Sequence, residues 1–200
     1  MTLDRYRSVA DRLLDPFVDA ADRLGLSPDG VSVVAFAFAV AAGVAFYLGT
    51  PLWYALGGVF VFLNGWLDLV DGALARAQGV SSDGGDLLDH VLDRYADIAM
   101  LVGLAAGIDS YGLGLAAVTG VLMTSYLGTQ IQAVGLGRQY GGLVGRADRL
   151  ALIGVAAFVA AAVSRSVFGL TPVGWLLAFF AVIGHFTALQ RFWGAWSDLS

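Results

Sequence analysis

Six apolar runs constrain this chain more than any other feature. They fall at about residues 31–49, 52–72, 87–108, 111–133, 149–167 and 172–192. Each is near the roughly 20 residues that a helix needs to cross a bilayer. At membrane depth the backbone must satisfy its own hydrogen bonds, which a helix does within one segment. The runs are separated by Gly-Thr-Pro at 49–51, a polar stretch at 77–86, Asp109-Ser110, a Gly/Arg-rich stretch at 134–149, and Arg165–Thr171. With 58% hydrophobic and only 14% charged residues, the chain is too apolar for an ordinary soluble domain. The pattern predicts an all-α integral membrane protein: a single domain over 1–200, with a six-helix transmembrane bundle over 31–192.

Residues 1–25 follow a different rule. Leu3, Tyr6, Val9, Leu13, Leu14, Phe17, Val18, Ala21 and Leu24 recur at helical spacing among Arg and Asp residues. That predicts an amphipathic helix on the membrane surface beside the bundle, or alternatively a soluble helix packed on cytosolic loops. Ser27-Pro28-Asp29-Gly30 ends it. No short apolar segment with a small-residue cleavage site precedes the first run, so no signal peptide is expected.

Arginine orients the bundle. Arg5, Arg7, Arg12, Arg23, Arg76, Arg138, Arg146, Arg149 and Arg191 fall on the side of the two termini; Arg165 falls opposite. The positive-inside rule then places both termini in the cytoplasm of a cell-membrane protein. Trp53, Trp175, Trp193 and Trp196 lie near span ends, where aromatic belts form.

Composition also excludes chemistry. There is no cysteine, hence no disulfide, thiolate metal site or cysteine nucleophile. Every base is Arg and every acid is Asp, a bias that salt adaptation or a high-GC genome can each produce. The net charge of −5 and the lack of a basic stripe argue against a nucleic-acid partner.

The acids concentrate at one place. Asp68, Asp71, Gly72, Ala75 and Arg76 close the second run, and Gly85, Asp89 and Asp93 open the third. Spacings of three and four put these side chains on one face of each helix. Carboxylates at the edge of a membrane helix are costly, which makes them a functional-site hypothesis. Four of them form a hard oxygen set suited to Mg²⁺ or Mn²⁺, with two ions expected to offset the repulsion. Such ions would bridge phosphate oxygens in a displacement reaction. Gly72 and Ala75 leave room for a phosphate-bearing ligand, and Arg76 offers it a planar cation. Asp93, deepest in the motif, is the candidate general base.

Residues 68–93 resemble the signature of the CDP-alcohol phosphotransferase family, D-x-x-D-G-x-x-A-R-x8-G-x-x-x-D-x-x-x-D, at every fixed position. The resemblance implies a homodimeric membrane enzyme that moves a phospho-lipid group from a CDP-lipid to an alcohol and releases CMP. It implies that Asp68, Asp71 and Asp89 bind metal, and that Asp93 is the base and also touches a metal. It further implies that Gly72, Ala75, Arg76 and Ser82 line the CDP-lipid site. The family's Pro-Asn-x-x-Thr segment reads here Pro28-Asp29-Gly30-Val31-Ser32, which adds Asp29 and Ser32 to that site. The segment Gly145-Arg146-Ala147-Asp148-Arg149 resembles the one that holds the acceptor's phosphate in inositol-phosphate-using members. Arg138 and Arg191 are expected to complete that pocket.

The sequence leaves other readings open. The acceptor is a phosphorylated polyol such as inositol phosphate or glycerol phosphate, or else an unphosphorylated alcohol such as serine. The donor is CDP-archaeol or CDP-diacylglycerol. A cation or proton transporter would also carry intramembrane acids, but it has no need of Gly72, Ala75 and Arg76 beside them. Asp86 has a simpler role at a helix start, and Asp97 has one as the partner of Arg94. His90 and His185 read as packing or hydrogen-bonding residues. Gly112, Gly114 and Gly120 read as sites of close helix packing.

Overall fold

A computed structural model describes residues 7–137 and 144–199, with side chains from Leu13 onward. Within them the chain forms seven helices and no strand: α1 (Arg7–Arg23), α2 (Pro28–Leu48), α3 (Pro51–Gln78), α4 (Asp83–Gly107), α5 (Tyr111–Ala133), α6 (Arg146–Ala162) and α7 (Pro172–Leu199). The breaks have local causes. Ser27 accepts a hydrogen bond from the Gly30 N–H at 3.1 Å and caps α2, with Pro28 in the first turn, where its missing N–H costs nothing. Gly49 ends α2 in the left-handed region at φ 66°, and Pro51 starts α3. Gly79 ends α3 in the same way, and Ser82 caps α4 by accepting from the Gly85 N–H at 3.1 Å.

The amphipathic segment is α1. Its Leu14, Val18 and Ala21 are buried with Val31, Val70 and Leu74, and the Phe17 ring meets Trp66 edge-on. The helix thus packs along α3, beside the end of α3 that carries the motif. The part of the predicted helix before Arg7 lies outside the described residues.

In the bundle, α2 packs against both α3 and α4, α5 against α7, and α6 against α3. Small residues set the closest approaches. A Cβ at Gly103 on α4 would lie 2.1 Å from the Gly43 carbonyl oxygen on α2, so neither backbone admits a side chain there. Gly120 on α5 faces Gly184 on α7 in the same manner, and Gly114 faces Ala105; Gly112 faces open space and supports no packing. Phe46, Met100, Leu104, Ile153 and Leu177 fill the core. Phe62, Val182 and Phe186 point outward, and so large an exposed apolar surface suits lipid.

The chain is an integral membrane protein of helical type. Four helices, α2, α3, α5 and α7, are long and apolar enough to cross a membrane. Helices α4 and α6, expected from the apolar runs as the third and fifth spans, do not meet that measure. Helix α4 carries Asp93, Arg94 and Asp97 within its apolar stretch, and α6 has only 17 residues.

Candidate metal and phosphate site

The site lies where the last turns of α3 meet the first turns of α2, α4 and α6. The cap at Gly79 stops α3 just after Arg76, and Ser82 restarts the chain, so α4 runs back beside α3. That short reversal brings Asp89 to Asp68 and Asp71. Each of the three offers a carboxylate oxygen, and these oxygens lie within 4.8 Å of one another. Spread over three separate residues, they are the donor set of a hard divalent cation.

Neighbouring groups hold these carboxylates in place. Ser32, buried on α2, donates to Asp71 Oδ2 at 2.6 Å. Asn64, buried one turn before Asp68, donates through Nδ2 to the Ala35 carbonyl at 2.9 Å and ties α3 to α2. Nothing in the motif pointed to Asn64; its one sequence signal is an amide four residues before Asp68 within a very apolar run.

A protein cation also reaches the site. Arg146, the first residue of α6, spans Asp68 Oδ2 at 2.6 Å and Asp93 Oδ1 at 2.5 Å. Asp148 accepts from the Gly145 N–H at 3.0 Å, which shapes that helix start. The carboxylates thus demand positive charge, and a guanidinium here meets part of that demand.

The expected nucleotide residues gather at the same end. Asp29 lies in the first turn of α2 beside Gly85, whose Cβ position is 3.4 Å from Asp29 Oδ1 and from Ser82 Oγ. Arg76 is exposed and folds back over Gly72, where a Cβ would lie 3.5 Å from its Nη1. Ala75 is half-buried on the same stretch. Ser32 faces Asp71, and Ser82 is engaged as the α4 cap.

The expected acceptor residues divide. Arg146 is at the carboxylates. Arg149 is buried and donates to Asp97 Oδ2 at 3.0 Å. Arg191 on α7 donates to the Thr124 carbonyl at 2.5 Å, close over Gly128. Thr124 and Arg149 line one narrow cleft between α5, α6 and α7. Arg138 lies outside the described residues. Asp97 pairs with Arg94 at 3.6 Å as well as with Arg149. Arg94 reaches Asp93 at 3.6 Å and donates to Ser125 Oγ. Asp86 stands in the first turn of α4 and meets His90, while His185 bonds within α7.

Residues 25–187 match the CDP-alcohol phosphatidyltransferase family. The chain belongs to this family. It is therefore a transferase of phospholipid synthesis, which moves a phospho-lipid group from a CDP-lipid to a small alcohol, and the transporter reading falls away.

Among relatives of this phosphatidyltransferase, the archaetidylinositol phosphate synthase of Pyrococcus horikoshii is 30% identical over 96% of both chains. That of Methanothermobacter thermautotrophicus is 29% identical over 98% of this chain and 95% of its own. The phosphatidylinositol phosphate synthase of Streptomyces avermitilis is 33% identical over 94% of this chain and 80% of its own. The crystal structure of the phosphatidylinositol phosphate synthase of Mycobacterium tuberculosis with CDP-DAG bound is similar in fold, with a TM-score of 0.78 and 27% identity; the match covers 92% of this chain and 94% of that one. The same enzyme in complex with manganese and citrate matches with the same TM-score and identity, over 92% of this chain and 88% of that one.

Proposed function

We propose that this phosphatidyltransferase makes an inositol-phosphate lipid, joining the phospho-lipid group of CDP-archaeol or CDP-diacylglycerol to inositol phosphate. The observation that carries this reading is Arg146, at the amino end of α6 and within 2.6 Å of both Asp68 and Asp93. A helix amino terminus with a guanidinium beside it receives a phosphate through N–H groups and charge together. An acceptor phosphate held there brings its sugar hydroxyl toward the carboxylates. The names of the relatives, inositol phosphate synthases from archaea and bacteria, support the same acceptor.

The residue roles follow from chemistry. Asp68, Asp71 and Asp89 hold Mg²⁺ or Mn²⁺, two ions in all, with Asp93 shared between metal and base. Bound there, the ions would supply positive charge that offsets what develops on the phosphates during transfer. Asp93 takes the proton of the acceptor hydroxyl. The hydroxyl oxygen bonds to the lipid-linked phosphorus, the bond to the CMP phosphate breaks, and CMP leaves. Arg76, over Gly72 and Ala75, steadies the donor's phosphates, with Asp29, Ser32 and Ser82 around the nucleotide. Arg191 and Arg138 complete the acceptor pocket with Arg146 and Arg149.

The bundle has six spans in this reading. Helix α3 ends at the site, and α5 starts just past α4, at its far end. An α4 of 25 residues, about 37 Å long, has the reach to cross between them. Asp93, Arg94 and Asp97, the charges deeper along it, face protein partners, which lowers their cost in the membrane. The site and both termini then face the cytoplasm of the cell membrane, and the chain works as a homodimer among its membrane lipids.

The test is an acceptor panel with purified protein, Mg²⁺ and each CDP-lipid, reading CMP release. Inositol phosphate is the expected best acceptor. Faster release with serine, or with glycerol phosphate, overturns the inositol phosphate assignment.

A further inference from the structure

Asp97 lies outside the signature and outside the metal-ligating group, yet it is among the most deeply buried charges in the protein, at 1% exposure. It stands one turn beyond Asp93 and two beyond Asp89, on the same face of α4. Its Oδ2 accepts from Arg149 Nη2 at 3.0 Å and lies 3.6 Å from Arg94 Nη1. A buried ion pair is a poor way to gain stability, because two charges must leave water and well-packed apolar residues would serve as well. Its use is better sought in position.

The packing shows what is positioned. Helix α6 rests on α3 and α7 and does not pack closely along α4. Two arginines, one turn apart on α6, reach across to two aspartates one turn apart on α4. Arg146 goes to Asp93 at 2.5 Å and Arg149 to Asp97 at 3.0 Å. The upper link belongs to the site and must exchange partners as ligands come and go. The lower link is buried on both sides and is not part of the ligand set. Arg94 buttresses it from α4, bonded to Ser125 of α5.

We propose that Asp97 is a positioning residue for the acceptor. By holding Arg149 it sets the height and rotation of α6, and so aims Arg146 and the helix amino terminus at the acceptor phosphate. This rests on the proposed role of Arg146 as a phosphate ligand. It also moves Arg149 from acceptor contact to support.

The experiment compares wild type, Asp97→Asn, Arg149→Gln and the double variant, each purified full length. It measures the KM for inositol phosphate, the KM for CDP-lipid, CMP release at saturation, and thermal unfolding. Asp97→Asn is expected to raise the acceptor KM by about ten-fold or more and to change the donor KM less than about two-fold. The double variant removes both charges of the Asp97–Arg149 pair, so its acceptor KM should be no worse than that of either single variant. If those variants do not fold, Asp97→Glu, which keeps the charge and leaves Arg149 present but displaced, decides: a raised acceptor KM with an unchanged donor KM supports the proposal. An unchanged acceptor KM in a folded variant overturns it. So do full additivity of the two losses, which would put Arg149 on the acceptor itself, and failure of every variant to fold, which would make the pair a brace for the whole bundle. A wild type that ignores inositol phosphate defeats the acceptor assignment instead, and the same comparison with its true acceptor still judges Asp97.

Discussion

At the scale of single residues, the site is a contest between carboxylates that repel and cations that gather them. Asp68, Asp71 and Asp89 converge within 4.8 Å, so loss of any one charge should empty the set. Asn at each position is expected to abolish CMP release while leaving the helical content by circular dichroism unchanged. EDTA should silence the wild type and Mn²⁺ restore it; full activity in EDTA would end the metal assignment. Asp93→Asn should lose turnover yet still bind the CDP-lipid in an equilibrium assay. Ser32 offers a finer test, because its hydroxyl donates to Asp71 at 2.6 Å. Loss of such an outer partner typically weakens metal binding by about 10–100-fold. Ser32→Ala should therefore raise the Mn²⁺ concentration for half-maximal activity by roughly ten-fold, with near-normal turnover once metal saturates. An unchanged metal requirement would show that Ser32 does not orient the ligand.

At the scale of helices, glycines decide which side chains come near the site. A Cβ at Gly128 on α5 would lie 2.8 Å from Arg191 Nη1. The guanidinium is the end of a long side chain and can yield, so Gly128→Ala should fold normally. It should raise the acceptor KM by about three- to ten-fold through a displaced Arg191, and leave the donor KM alone. Gly103→Ala makes a different kind of contact. Its methyl would meet the Gly43 carbonyl oxygen at 2.1 Å, and backbone cannot step aside. Overpacking of that sort costs about 1–3 kcal/mol or more, so this variant should unfold at lower temperature and lose both donor and acceptor kinetics. A wild-type melting point for Gly103→Ala would mean that α2 and α4 are not in close contact.

At the scale of the whole molecule, helices of alternating direction bring Asp29, Arg76, Asp89, Arg146 and Arg191 to one end. The lack of native cysteine makes the topology directly testable. Ser81→Cys lies in the link between α3 and α4, and Tyr111→Cys lies exposed at the start of α5. If α4 crosses, an impermeant thiol reagent should label the two from opposite faces of sealed vesicles, with Ser81→Cys on the cytoplasmic face. Labelling from the same face would remove α4 from the spans.

Hydropathy alone determined that the chain is a bundle of membrane helices, because about 20 apolar residues in a row have few other stable fates. The i, i+3 and i, i+4 spacings placed the aspartates on common faces, since helix geometry is local. Ser27-Pro28-Asp29-Gly30 and the polar stretch 77–86 marked the breaks beside them for the same reason. The division among the arginines was not legible. Arg146, Arg149 and Arg191 look alike in sequence, each an Arg near a span end, yet one meets Asp68 and Asp93, one is buried on Asp97, and one bonds the Thr124 carbonyl. Which carboxylate a long side chain reaches depends on the depth and rotation of its helix against the others. Packing between residues as far apart as Gly43 and Gly103, or Gly120 and Gly184, sets those, and only the tertiary structure decides it.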